Sequence, residues 1–186
     1  MPEYVASDAI CPVYSLHSLE KRDILATLII VVQSYRMLPL NLPPQDLKIV
    51  THDDGKEYVW DVVRKKWLVM TPEERVRQNF VHWLSKEREV PFTHMANEVT
   101  VNLNGLSRRC DTVVYDRALV PKMIIEYKAP SVNITRNVFD QISRYNLVLK
   151  VDFLVVSNGI KHYCVKMEYP EETYRFLPDI PKYSDL

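Results

Sequence analysis

The sequence predicts an α/β fold, a single domain in which helices flank a central mixed β-sheet, with a β-hairpin ahead of them. Three observations carry this. From about Pro72 the apolar pattern reads helix, three antiparallel strands, helix, strand, strand. Val151 to Ser157 is a near-continuous apolar run, the pattern of a strand buried on both faces. All three glycines follow Asp54, Asn104 or Asn158, and Asp-Gly or Asn-Gly between apolar runs marks a tight turn. At 186 residues the chain is long enough for one domain with a real core.

Residues 1–36 read differently from the remainder and are expected to form an N-terminal extension, with the domain spanning 37–186. The apolar run Ile24 to Val32 is far below the ~20 residues that span a bilayer. Lys21 and Arg22 precede it, but no small-residue cleavage site follows, so it reads as an appended helix or strand. Met37 is a second candidate start of the protein.

Leu38 to Pro44 is proline-rich and extended. Leu47–Thr51 and Tyr58–Val63 flank an Asp-Gly turn and form the N-terminal hairpin. Arg64, Lys65 and Lys66 then read as a solvated turn beside Trp67, with a phosphate backbone as the sharper alternative partner. Thr71-Pro72-Glu73-Glu74 is a helix start: Thr71 caps, Pro72 suits the first turn, and Glu74 completes a capping box. The helix runs to about Lys86, with Val76, Phe80, Trp83 and Leu84 inward. Glu73 falls on that apolar side, whereas Glu74 is expected to point away.

Strands follow at Glu98–Leu103, along the run opened by Asp111, and at Lys122–Lys128, where Pro130 stops the third. Thr135 to Leu149 is an amphipathic helix with Val138, Phe139, Ile142 and Leu149 inward, and Gln141 and Tyr145 lie one turn apart beside that face. The buried run 151–157 and the strands His162–Lys166 and Tyr174–Leu177 complete the chain.

Composition removes several classes. The formal net charge is zero, so any nucleic-acid surface must be local. Cys11, Cys110 and Cys164 have no zinc spacing and no disulfide framework, which suits a reducing cytoplasm. With only three glycines, no loop can cradle a phosphate, so neither an NTPase motor nor a dinucleotide-binding domain is expected.

What remains is charge placed where strands should be apolar. Asp111 opens one run, and Glu126 and Lys128 sit two residues apart on the next, hence on one face. Such groups are costly to desolvate unless paired or bound to a metal. A carboxylate from one strand and a carboxylate with a lysine from its neighbour meet at one metal-binding point in this reading.

These residues resemble the signature of the PD-(D/E)XK nuclease superfamily, and the element order resembles its restriction-endonuclease-like core. More narrowly, Thr71–Glu74, the Asn104-Gly105 hairpin, Glu126-Tyr127-Lys128-Ala129-Pro130 and Phe139–Asn146 are similar to the N-terminal nuclease domain of type I restriction enzyme R subunits, in a short stand-alone bacterial form. Cys110 stands where the superfamily's name has proline. The resemblance implies a Mg²⁺-dependent DNA endonuclease of a restriction-modification system, with Mn²⁺ as an alternative ion and no helicase motor. It implies Asp111, Glu126 and the Tyr127 carbonyl as metal ligands, and Lys128 to hold or deprotonate the attacking water. Glu73 would orient a water or complete the coordination, and Gln141 and Tyr145 would position the site. Arg108, Arg109, Arg136 and Arg144 become candidate phosphate contacts. Expected partners are DNA, restriction-system subunits and a second copy in a homodimer, with no membrane. The rival reading is a non-catalytic nucleic-acid-binding or accessory module that retains the fold. The same chemistry on RNA is a third.

Overall fold

The computed structural model describes residues 38–103, 105–170 and 173–186, and of Leu103, Leu106, Arg136, Arg144 and Tyr145 the backbone alone. The expectations for residues 1–36, for Asn104 and for the Arg136, Arg144 and Tyr145 side chains lie outside the described residues.

Two sheets form. β1 (Ile49–Thr51), β2 (Glu57–Asp61) and β3 (Lys66–Val69) make an antiparallel sheet in that order. The expected hairpin therefore has a third strand. Its signal in the sequence is short, and the basic run before it is a turn held by Asp61. The buried Asp61 Oδ1 accepts from the N–H of Val63 at 2.8 Å and of Arg64 at 2.9 Å.

The second sheet holds β4 (Met95–Leu103), β5 (Leu106–Tyr115), β6 (Pro121–Tyr127), β7 (Phe153–Ser157), β8 (His162–Glu168) and β9 (Thr173–Leu177), ordered as in the sequence. All pairs are antiparallel except β6 with β7. That exception makes the sheet mixed, as expected. It follows from α2 (Arg136–Leu149), which carries the chain back across the sheet between those strands.

α1 (Pro72–Glu87) and α2 cover opposite faces. Val76, Phe80, Val81 and Leu84 of α1 pack with Met123, Ile125, Tyr127 and Val155. Val138 and Ile142 of α2 pack with Ile124, Leu154 and Val156. β6 and β7 thus bury both faces, which is why their sequences are apolar almost throughout.

At the start of α1, Thr71 Oγ1 accepts from the Glu74 N–H at 3.0 Å, the expected cap. Glu74 does not point away, however; it is 8% exposed. Its carboxylate turns inward because two guanidiniums wait there, and charge-assisted bonds are stronger than a bond to a neutral N–H.

The β4–β5 ribbon changes face midway. Met95 and Val114 face α1, whereas Val101 and Cys110 join the core under α2. Strict alternation would keep Met95 and Val101 together. The break falls at Glu98, whose φ is +59°, between the Asn97–Thr112 and Val99–Cys110 pairs, where the ladder skips Glu98 and Asp111. A left-handed non-glycine residue in mid-strand is rare and marks a place where the backbone is under constraint.

Candidate metal centre and nuclease site

The site forms where β5 and β6 part. Their last paired residues at this end are Thr112 and Ile125. Beyond them the Tyr127 N–H meets no strand carbonyl and is donated to Asp111 Oδ2 at 2.7 Å. The N–H and C=O of one strand residue point to the same side, so the Tyr127 carbonyl faces Asp111 too. The next N–H, that of Lys128, turns the other way to the Ser157 carbonyl at 2.9 Å.

Alternation sorts the triplet by face. The Tyr127 ring is fully buried toward α1, 5.6 Å from Phe80 between centroids. Glu126 and Lys128 point toward α2. Lys128 Nζ donates to Glu126 Oε1 at 2.7 Å, and Gln141 Nε2, from α2, donates to the same oxygen at 2.6 Å. Glu126 is 3% exposed, and its Oε2 is buried with no hydrogen-bond partner among the described residues.

The acidities record a crowd of negative charge. Burial, and then the charge of Asp111, push Glu126 up to about 7. Burial also raises Asp111, against the opposing pull of Arg77. Glu73, half-buried in the first turn of α1, is raised by burial and by Asp111, with Lys128 and Arg77 opposing. Burial works to lower Lys128, but Glu126, Asp111 and Glu73 outweigh it, and the ammonium is held above its usual range. The structure therefore brings Asp111, Glu126, Lys128, Gln141 and Glu73 into one electrostatic neighbourhood.

Behind Asp111 stands a layer that sequence reasoning missed. Arg77, 4% exposed, donates from Nη2 to Asp111 Oδ1 at 3.0 Å and from Nη1 to Glu74 Oε2 at 2.9 Å. The same Nη1 lies 2.8 Å from Glu98 Oε1. Arg64 Nη2 donates to Glu74 Oε1 at 3.0 Å, and Arg109 Nη1 pairs with Glu98 Oε2 at 3.1 Å. Burial works to lower Arg77, but Asp111, Glu74 and Glu98 hold it above its usual range. One signal was legible: Arg77 follows Glu73 by four and precedes Phe80 by three, so it lies on the buried stripe of α1. Of the expected phosphate contacts, Arg108 and Arg109 are exposed on β5 beside Thr100 and Ser107.

The donor set suits a hard divalent cation. Among the described residues no three His, Cys, Asp or Glu side chains cage an ion unaided. Mg²⁺ does not need one, because it binds through one or two carboxylates and retains several waters. Here Asp111, the unpartnered Glu126 Oε2 and the Tyr127 carbonyl supply oxygens, and a cation would offset the burial, and then the mutual repulsion, that raise Glu73, Asp111 and Glu126.

Residues 72–181, more than half of the chain, match the family profile of the type I restriction enzyme R protein N terminus. Among solved structures, the chain is similar to a fragment assigned to an HsdR subunit of a type I restriction enzyme from Vibrio vulnificus YJ016, at 18% identity and a TM-score of 0.47 over 61% of this chain and 24% of that one. It is also similar to the DrdV–DNA complex solved by cryo-electron microscopy, at 20% identity and a TM-score of 0.38 over 59% of this chain and 11% of that one. The chain thus spans about a quarter and about a tenth of those two chains. No curated protein matches it.

Proposed function

Since the chain belongs to the family of type I restriction enzyme R protein N-termini, we propose that it is a Mg²⁺-dependent endonuclease that hydrolyses DNA phosphodiester bonds. Residues 37–186 would act as its single nuclease-like domain. The observation that carries this reading is Glu126, a buried carboxylate raised to about 7 with one oxygen unpartnered, beside Asp111 and Lys128.

In this reading Asp111, Glu126 and the Tyr127 carbonyl hold the ion. Bound there, Mg²⁺ lowers the pKa of an attacking water and offsets charge on the phosphate. Lys128, kept protonated by Glu126, donates to the attacking water and stabilises negative charge developing on the phosphoryl oxygens. Glu73 accepts a hydrogen bond from that water and fixes its direction of attack. Gln141 holds Glu126 Oε1 from α2, leaving Oε2 for the ion, and Arg77 fixes Asp111 from behind. Arg108 and Arg109 are placed to meet phosphates without reading sequence.

The test is cleavage of a supercoiled plasmid. The wild type nicks or cuts it with Mg²⁺ and stops with EDTA, while Asp111→Ala, Glu126→Ala and Lys128→Ala each abolish cutting and keep the wild-type circular dichroism. Equal residual activity in all four proteins would identify a contaminant and leave the non-catalytic module as the better reading.

A further inference from the structure

The three-stranded sheet has a charged end that the hydrolytic chemistry does not use. Its register sets Trp60 opposite Trp67, and the Trp60 N–H bonds the Lys48 carbonyl at 2.9 Å, so all three side chains stand on one face. The indole rings meet edge to face, 5.5 Å apart. Lys48 Nζ lies 5.9 Å from the centroid of Trp60 and 5.4 Å from that of Trp67. Lys65 and Lys66 are exposed where the chain enters β3 at the same end. Lys65 lies in the turn and Lys66, paired with Asp61, on the other side of the strand from Trp67, so the three lysines share this end of the sheet and not one face.

Charge is uneven along this sheet, although the exposed Asp46 precedes Lys48 by two residues at the basic end. At the far end, around the β1–β2 turn, lie Asp53, Asp54 and Glu57, and Lys56 is neutralised there by Asp54 at 3.4 Å. At the near end, none of Lys48, Lys65 and Lys66 has a carboxylate within ion-pair distance among the described residues. Aromatic faces hold an ammonium in place without cancelling its charge. The turn is also rigid. Asp61, fully buried, bonds two of its N–H groups, the Arg64 guanidinium, and Asn97 Nδ2 at 3.2 Å. Lys65 and Lys66 therefore start from a fixed backbone, which reduces the ordering cost of binding.

The turn is continuous with the catalytic side. Arg64 bonds Glu74 at 3.0 Å and lies 3.7 Å from Glu98, and both acids share Arg77, which holds Asp111. Three cations with no ion-pair partner among the described residues, at the end of the sheet tied through Arg64, Glu74 and Arg77 to Asp111, fit a polyanion that runs past the site. The indoles pack edge to face on each other and under Lys48 instead of splaying open to receive a base, which favours a paired duplex over a single strand.

We propose that Lys48, held on Trp60 and Trp67, together with Lys65 and Lys66, binds the phosphate backbone of duplex DNA and anchors it beside the catalytic site. This rests on the DNA-cleaving reading for the identity of the polyanion. The experiment is fluorescence anisotropy of a labelled duplex in EDTA, from about 50 to 200 mM salt, with plasmid cleavage run alongside. Each phosphate contact contributes about 0.9 to the slope of log K against log salt. The Lys48→Ala/Lys65→Ala/Lys66→Ala protein should lose about 2 to 3 from that slope and at least about tenfold in affinity. Lys65→Ala/Lys66→Ala, which keeps the Lys48–indole contact, should lose about 2. Lys65→Ala/Lys66→Ala should keep the wild-type urea midpoint, and in both variants the DNA concentration that half-saturates cleavage should rise with the loss of affinity. Wild-type affinity and slope in both variants would overturn the inference and leave the nuclease reading standing. A wild type that binds with a steep slope, loses it in the variants, and cuts nothing with Mg²⁺ would retain this surface and sink the nuclease reading. Absence of duplex binding by the wild type overturns the surface outright.

Discussion

A guanidinium sealed from water and bonded to three carboxylates has nothing to replace any partner it loses. Arg77 is in that position, whereas Glu74 and Glu98 also pair with Arg64, and the part-exposed Asp111 also accepts from the Tyr127 N–H. Replacing it takes the guanidinium from Asp111 and one of several partners from Glu74 and Glu98, a change expected at about 3 kcal/mol, the low end for breaking a buried pair. Arg77→Met should therefore lower stability by that order in urea unfolding, whereas Arg77→Lys should lose less but still impair cleavage, since one ammonium cannot fork to three acids. Equal stability of wild type and Arg77→Met would mean that the ion pairs add nothing. The same residue shows how far the sequence could be read. Glu126 and Lys128 were legible because strand alternation alone places them together. Glu74 was misjudged, since capping accounts for its N–H but says nothing of a carboxylate with guanidiniums nearby. Arg77 escaped notice because arginine is ordinarily surface charge, and two of its three partners, Glu98 and Asp111, lie far away in sequence.

At the scale of elements, the turns decide where the site-bearing strands end. Gly159 follows Asn158, whose Oδ1 accepts from the N–H of Ile160 at 3.0 Å and Lys161 at 2.8 Å, and whose Nδ2 donates to the Val132 carbonyl at 2.8 Å. This turn therefore also fixes the loop that leaves Lys128. Gly159 has φ +81°, and an added Cβ would lie 2.6 Å from Leu40 Cδ2 and 3.0 Å from Val76 Cγ2 on α1. Gly55 has φ +74° and open space around it. Gly159→Ala should cost about 2 to 4 kcal/mol, from backbone strain plus overpacking, and Gly55→Ala about 1 to 2 kcal/mol from strain alone. Matching urea midpoints for the two variants would show that α1 does not press on this turn. Both glycines announced turns in the sequence, but only the packing separates them. The short β3 and the change of face at Glu98 were not legible: four residues give too little periodicity, and a left-handed glutamate has no compositional mark.

For the molecule as a whole, the mixed sheet was readable from the order and period of its elements, because burial on one or both faces writes itself directly into apolar spacing. The meeting of Asp111 with Glu126 and Lys128 was readable from the paired runs themselves, but the arrival of Glu73 from α1 and Gln141 from α2 was readable only through resemblance, since no local pattern brings them to that point. Their assembly leaves three acids raised together, a state in which protons and a cation compete for the same oxygens. Glu126 is about 7 in the folded protein against an ordinary 4.5. Without a cation it therefore contributes stability that is complete below its ordinary range and is lost as pH rises through about 7. Ion binding, which needs the ionised form, runs the opposite way. The most direct measurement is electron paramagnetic resonance of Mn²⁺ titrated into the protein at pH 8 and pH 6. The account predicts one bound ion at pH 8, weaker binding at pH 6, and loss of the site in both Asp111→Asn and Glu126→Gln. No bound ion at pH 8, or wild-type binding by those two variants, would contradict it.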